Sequence, residues 1–181
     1  PRLMELIEGE IARCRRKEPA RIVAKVNSLS DTGIIRALYK ASKAGVKVDL
    51  LVRGICCLRP GVPGLSEHIR VFSVVDRFLE HARVFYFHGG GRPQVFIASA
   101  DWMARNLDKR IELMVSIEDP TCRQRLMQVL EAHLKDNVKA KSVAVMWVNN
   151  DFGKGGRDSI TKALEAQGLK VAADISTDPG P

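Results

Sequence analysis

The stretch Arg21–Gly54, RIVAKVNSLSDTGIIRALYKASKAGVKVDLLVRG, decides the fold. Arg21–Val26 is a short β-rich run, and Asn27-Ser28-Leu29-Ser30-Asp31 is turn and helix-cap chemistry. Apolar residues at helical spacing predict a helix over 32–43, which Gly45 ends. Val46–Val52 is a second β-rich run, closed by Arg53-Gly54. Strand, helix and strand with a short turn at each end form a βαβ unit, so the two strands are expected to run parallel.

Outward from this unit the pattern stays mixed. Leu3, Leu6, Ile7, Ile11 and Cys14 recur at helical spacing, which predicts an amphipathic helix over 3–17 before Pro19. Residues 54–68 read as a loop punctuated by Pro60, Gly61, Pro63 and Gly64. Strands are expected at 69–75, 83–87, 94–98 and 111–117, and a helix over 120–136 that starts on Pro120. A smaller unit follows: strand 142–148, helix 156–167 and strand 169–173. The expected fold class is therefore α/β, a mixed sheet flanked by helices, plus a small C-terminal βαβ segment.

Composition narrows the function. The 181 residues are 45% hydrophobic and 28% charged, enough apolar side chain for a core and against a disordered chain. No run approaches a membrane span, and no signal-peptide pattern opens the chain. Its start on Pro1 rather than Met suggests a preceding part. Cys14, Cys56, Cys57 and Cys122 lack C-x-x-C spacing, so a reduced, cytoplasmic chain without structural zinc is expected. The charge is uneven. Residues 1–140 hold 24 Lys+Arg and 16 Asp+Glu, whereas 141–181 hold 5 of each. The basic balance thus lies in the first part and favours polyanions as partners. Aromatic residues, at 6%, are too sparse for single-strand nucleic-acid binding by stacking.

In an open α/β sheet ligands bind at the carboxyl ends of parallel strands, and two polar clusters fall there. Asn27, Ser28 and Ser30 follow the first strand at a helix N-terminus, where backbone N–H groups favour an anion. Arg53 follows the second, where a planar guanidinium can clamp phosphate. The same residues also read as a plain cap and a solvated charge. His81 enters an apolar strand beside Arg83, and a histidine there can donate to or attack a phosphoryl group. Ser99, Asp101 and Asn106 follow.

His81-Ala82-Arg83 and Ser99-Ala100-Asp101 resemble a degraded form of the phospholipase D signature, His-x-Lys followed by Gly-Ser-x-Asn. Arg replaces the Lys, and His88 stands where the acid is expected, so hydrolysis is weakened while phosphate binding survives. His88-Gly89-Gly90-Gly91 copies a lipase oxyanion loop, but no G-x-S-x-G exists, and it reads as a hairpin turn. Gly153-Lys154-Gly155-Gly156 completes neither a dinucleotide fingerprint nor a P-loop. His68 and His133 have no partner at ligand spacing, and Trp102-Met103 reads as core.

Four ordered motifs, Ala24–Leu29 (AKVNSL), Leu51–Gly61 (LVRGICCLRPG), Arg77–His81 (RFLEH) and Ser99–Asn106 (SADWMARN), resemble the C-terminal domain of bacterial polyphosphate kinases over residues 3–140. The resemblance implies a phospholipase-D-like fold and reversible transfer of the ATP γ-phosphoryl group to polyphosphate, with magnesium, through a phosphohistidine. It places the nucleophilic histidine in a preceding domain that this chain does not contain. It implies that Arg53 contacts the nucleotide phosphates and that His81 is a second histidine opposite the nucleophile, giving acid/base or electrostatic help. Asn27, Arg83 and Asp101 are further candidates from local geometry. The implied partners are ATP or ADP, polyphosphate and the preceding domains of the same enzyme. Homo-oligomerisation stays open, as does a peripheral place at the inner membrane face. Magnesium ligands are not expected in this chain. The alternative is a non-enzymatic basic module that binds polyanions. Residues 141–181 resemble a piece of a periplasmic branched-chain amino-acid binding protein, with Phe152 where that family carries Tyr.

Overall fold

The structure is a computed structural model that describes residues 2–73, 79–138, 142–148 and 170–177, with positions 154, 157, 158, 161 and 162. Two compact units are present, Pro1–Asn137 and Val138–Pro181.

In the first unit, helix α1 (Arg2–Arg15) leads to strand β1 (Arg21–Val26), helix α2 (Thr32–Lys43) and strand β2 (Lys47–Val52). The unit continues with β3 (Ile69–Phe72), β4 (Arg83–Phe87), β5 (Gln94–Ala98), α3 (Ala104–Lys109), β6 (Met114–Ser116) and α4 (Pro120–Val138). The sheet order is β3-β2-β1-β4-β5-β6. β1 pairs parallel to β2, and β2 parallel to β3, while β1–β4, β4–β5 and β5–β6 are antiparallel. The βαβ reading of Arg21–Val52 is thus realised, and the mixed sheet flanked by helices is the fold class expected.

The layers follow from the period-2 alternation of the strands. On one face Ile22, Ala24, Val26, Val48, Leu50, Val52, Phe85 and Phe87 pack against Leu6, Ile7 and Ile11 of α1 and Ile34, Leu38 and Ala41 of α2. On the other face Val23, Leu51, Val84, Tyr86 and Val95 pack against Leu130 and Leu134 of α4. Each Val, Leu, Ile or Phe among them fully removed from water contributes about 1.5–3 kcal/mol, so this double-sided burial holds the sheet.

Local signals set the helix ends. Asp31 caps α2, its side chain accepting from the Ile34 N–H at 2.8 Å. Gly45, at φ +94°, takes the left-handed turn that stops it. Asp119 accepts from the Cys122 N–H at 2.7 Å, just before the proline that opens α4. At the β4–β5 turn, Gly89–Gly91 form a short 3-10 turn held by Glu10, whose Oε1 accepts from the Gly89 N–H at 2.8 Å. The hairpin reading of His88–Gly91 is confirmed.

Three sequence expectations shift. The strand expected over 111–117 shrinks to Met114–Ser116, and Ile111 is fully exposed, because the preceding residues lie outside the β5 ladder. Helix α3 was not expected, since its six residues are too few to show a period. The strand expected over 69–75 is Ile69–Phe72, and Val74 and Val75 lie outside the described residues, as do Arg77 and Phe78.

In the second unit β7 (Ser142–Val148) pairs parallel to β8 (Lys170–Thr177), which is longer than the 169–173 expected. Of the helix expected over 156–167, residues 157, 158, 161 and 162 are described, and all four are helical. Phe152, Gly153, Gly155 and Gly156 lie outside the described residues.

Candidate functional site

One end of the six-stranded sheet gathers the polar residues. Asn27 leaves β1, Arg53 leaves β2, and Asp101 follows β5. Arg83 opens β4, which is antiparallel and so starts at the same end. The register Lys25↔Val84 and Arg83↔Ala98 brings these positions level.

Backbone bonds knit the three loops before any side chain acts. The Leu29 N–H donates to Ile55 O at 2.8 Å, and the Cys57 N–H to Leu29 O at 2.8 Å. Ser30 and Asp31 both donate to Trp102 O at 2.9 Å, and the Trp102 N–H donates to Ser28 O at 3.2 Å. Trp102 itself is completely buried, its ring 5.2 Å from that of Phe85. The core reading of Trp102 holds, and its burial fixes Asp101 beside it.

Asp101 is the hub. Only 6% exposed, its Oδ1 accepts from the Asn27 N–H at 2.8 Å and from Arg83 Nε at 3.1 Å. Its Oδ2 accepts from Asn27 Nδ2 at 3.3 Å and from Arg83 Nη2 at 3.1 Å. Arg83 therefore grips the carboxylate with a guanidinium fork. Asn27, 5% exposed, turns its remaining Oδ1 to Arg53 Nε, 2.6 Å away. Burial pushes the Asp101 carboxyl up, but the bonds from Arg83 and Asn27, with the Arg83 charge, outweigh it and hold the group below the usual aspartate value.

His81 is exposed, with Arg83 Nη1 3.4 Å from its Nδ1. A guanidinium only donates, so Nδ1 is the acceptor and the ring proton sits on Nε2, on the far side of the ring. Among the described residues, no partner holds the Nη nitrogens of Arg53. The arrangement can thus present N–H donors of Arg53 and His81 to an anion while the buried carboxylate holds the frame.

At the helix N-terminus a carboxylate already acts as the cap. The Asp31 carboxylate occupies the start of α2, the Ser30 and Asp31 N–H groups are spent on Trp102 O, and that of Asn27 on Asp101. An anion would meet the negative Asp31 cap there. Ser99 and Asn106 also do not join the hub. Ser99 Oγ donates to Glu112 Oε2 and Asn106 Nδ2 donates to Glu112 Oε1 at 2.7 Å, which hold the Glu112 carboxyl below its ordinary value. His68 lies near the opposite strand ends with Arg21, Asp49 and Arg70, and His133 Nε2 lies 3.9 Å from Glu80.

Three residues were not among the sequence's site candidates. Lys25, buried in β1, reaches Glu80 Oε2 and the Ala82 carbonyl, each at 3.2 Å, and so fixes the segment that carries His81. A lysine inside an apolar strand was the available signal. Glu112 had none. Gly54 sits so close to β1 that a Cβ would meet Asn27 O at 2.8 Å and Ser28 Oγ at 3.1 Å. Gly54→Ala is expected to cost about 1–3 kcal/mol, the range for overpacking, because the Asn27 backbone must yield. Urea unfolding with an unchanged slope checks it.

The comparisons with known proteins bear on the family and the fold. The family model "Polyphosphate kinase C-terminal domain 2" matches residues 1–162. The chain belongs to that family. A polyphosphate kinase from Rhodopirellula baltica is 56% identical over 138 residues, 76% of this chain and 16% of the relative. The crystal structure of polyphosphate kinase from Porphyromonas gingivalis superposes with a TM-score of 0.72 at 50% identity, covering 75% of this chain and 21% of that one. NucT from Helicobacter pylori, at 12% identity and a TM-score of 0.50 over 75% of this chain and 91% of its own, shares the fold. The chain thus spans about a fifth of the length of the polyphosphate kinases it matches. The family match runs past residue 140, into the stretch that resembled a periplasmic binding protein. Among the described residues no helix is long and apolar enough to cross a membrane.

Proposed function

We propose that this chain is the phosphate-binding C-terminal part of a polyphosphate kinase, and that its site takes the phosphate groups of ATP and polyphosphate. The observation that carries this is the convergence of Arg53, Arg83 and His81 on one sheet end, in a chain of this family. Arg53, with its Nη donors open, clamps two phosphate oxygens in bidentate fashion. His81, donating from Nε2, stabilises charge that builds on the phosphoryl oxygens during transfer. The phosphohistidine nucleophile belongs to a part of the enzyme beyond this chain, so little turnover is expected from the chain alone.

Magnesium does not fit the residues gathered here. The Asp101 oxygens are taken by N–H donors, and Glu112 by Ser99 and Asn106. Among the described residues no group of three or more His, Cys, Asp or Glu could hold a metal ion.

The test is a thermal shift with polyphosphate and with Mg-ATP on the wild-type chain, Arg53→Ala and His81→Ala. Ligand binding raises the melting temperature of the state it binds. Arg53→Ala is expected to weaken binding about tenfold or more, the scale of a charge-assisted hydrogen bond. If both variants keep the full shift, the site is misassigned. A salt titration separates the alternative, a non-enzymatic polyanion module. Counterion-release binding falls steeply with salt and ignores single substitutions.

For Val138–Pro181, the parallel β7–β8 pair supports a separate βαβ piece. The likeness of this piece to a periplasmic binding protein would be revived by leucine or valine raising the melting temperature; no such rise leaves it part of the polyphosphate kinase chain.

A further inference from the structure

We infer that Asp101 is a positioning residue: a single buried carboxylate that never meets the ligand sets the direction of both arginines of the phosphate site. The inference deepens the phosphate-binding reading above and rests on it. Asp101 holds Arg83 directly, through Nε and Nη2, which leaves Nη1 directed to His81. It holds Arg53 at one remove. The Asn27 amide donates Nδ2 to Asp101, so its Oδ1 must face the other way, and there it accepts from Arg53 Nε. One carboxylate thus orients two guanidiniums that arrive from β2 and β4, on opposite sides of β1.

Coulomb attraction alone argues against a carboxylate here, because a negative charge beside an anion site repels the ligand. Positioning predicts the opposite of that simple expectation. Asp101→Asn keeps the shape and raises the chain's formal charge from +8 to +9, one unit more. An amide presents an N–H where a carboxylate presents an acceptor, so in either orientation one arm of the Arg83 fork and one of the two Asn27 N–H donors lose their acceptor. Asp49→Asn is the matched control. Asp49 is also buried and also pairs two arginines, Arg21 at 2.8 Å and Arg70 at 2.7 Å, but its partners do not include Asn27, Arg53, Arg83 or His81.

The experiment measures inorganic tripolyphosphate affinity by calorimetry on the whole chain, at a temperature where circular dichroism shows every variant folded. Asp101→Asn is expected to bind about tenfold more weakly than wild type, the scale of one charge-assisted hydrogen bond, and Asp49→Asn to bind as wild type or slightly tighter. Asp101→Asn binding as tightly as wild type, while Arg53→Ala binds weakly, overturns the inference and leaves the phosphate site standing. No binding by wild type, or full binding by Arg53→Ala, overturns the phosphate-site reading itself and the inference with it. Should Asp101→Asn not fold, Asn27→Ala tests the indirect arm at constant charge. It is expected to weaken binding in the wild-type background and to add nothing in Arg53→Ala, and additive losses would overturn the coupling.

Discussion

Trp102→Ala is expected to cost about 3–5 kcal/mol, the range for removing a large aromatic from a core. That is a large share of the about 5–15 kcal/mol that holds a typical domain folded. Trp102 is fully buried and packs on Phe85 of β4. Its position is also the junction where the segment after β5 meets the loop after β1, through the bonds of Ser30 and Asp31 to its carbonyl and its own N–H to Ser28. The indole Nε1 has no hydrogen-bond partner among the described residues, so the loss is one of packing and cavity rather than of a polar bond. Trp102→Phe keeps most of the ring and should cost far less. Urea unfolding of the three proteins decides this, and an alanine cost below about 1 kcal/mol, the typical effect of any substitution, would mean the ring is not a core element.

Asp101→Ala is expected to be nearly as damaging, about 3–5 kcal/mol, because breaking a buried pair strands its partner. The Arg83 side chain, 14% exposed, would keep its charge without the carboxylate, and the Asn27 N–H would lose its acceptor. The same carboxylate gives the domain part of its acid sensitivity. Its folded pKa lies below the unfolded one, so its stabilisation is present above the unfolded value of about 3.9 and is lost as pH falls through the folded value. The wild-type melting temperature should therefore drop below about pH 4, and Asp101→Ala should show a lower but flatter acid limb. Parallel limbs for the two proteins would show that other carboxylates carry the acid response.

The elements with strong local patterns were legible from the sequence. Arg21–Val26, Thr32–Lys43, Arg83–Phe87 and Gln94–Ala98 have the bounds that alternation, helical spacing and turn chemistry predict. The ends of β2 and β3 moved by a residue or more, and β6 shrank, because strand ends are set by the neighbour's ladder rather than by composition. Short α3 carried too little periodicity to be seen. Among the site candidates, Asn27, Arg53, Arg83, His81 and Asp101 do meet, but Ser99 and Asn106 turn to Glu112, which no spacing had singled out.

By itself the sequence determined the βαβ unit, the α/β class and the family, since these rest on residue order, period and motifs written along the chain. It also named the residues at the strand ends, because in such a sheet those ends carry ligands. Only the tertiary structure decided what these residues do to one another. Asn27 and Asp101 are 74 positions apart, and Arg53 and Asn27 are 26 apart, so their bonds depend on how β1, β2, β4 and β5 are laid side by side. Burial, a property of the packed sheet, then turned Asp101 from one candidate among several into the carboxylate on which the others are hung.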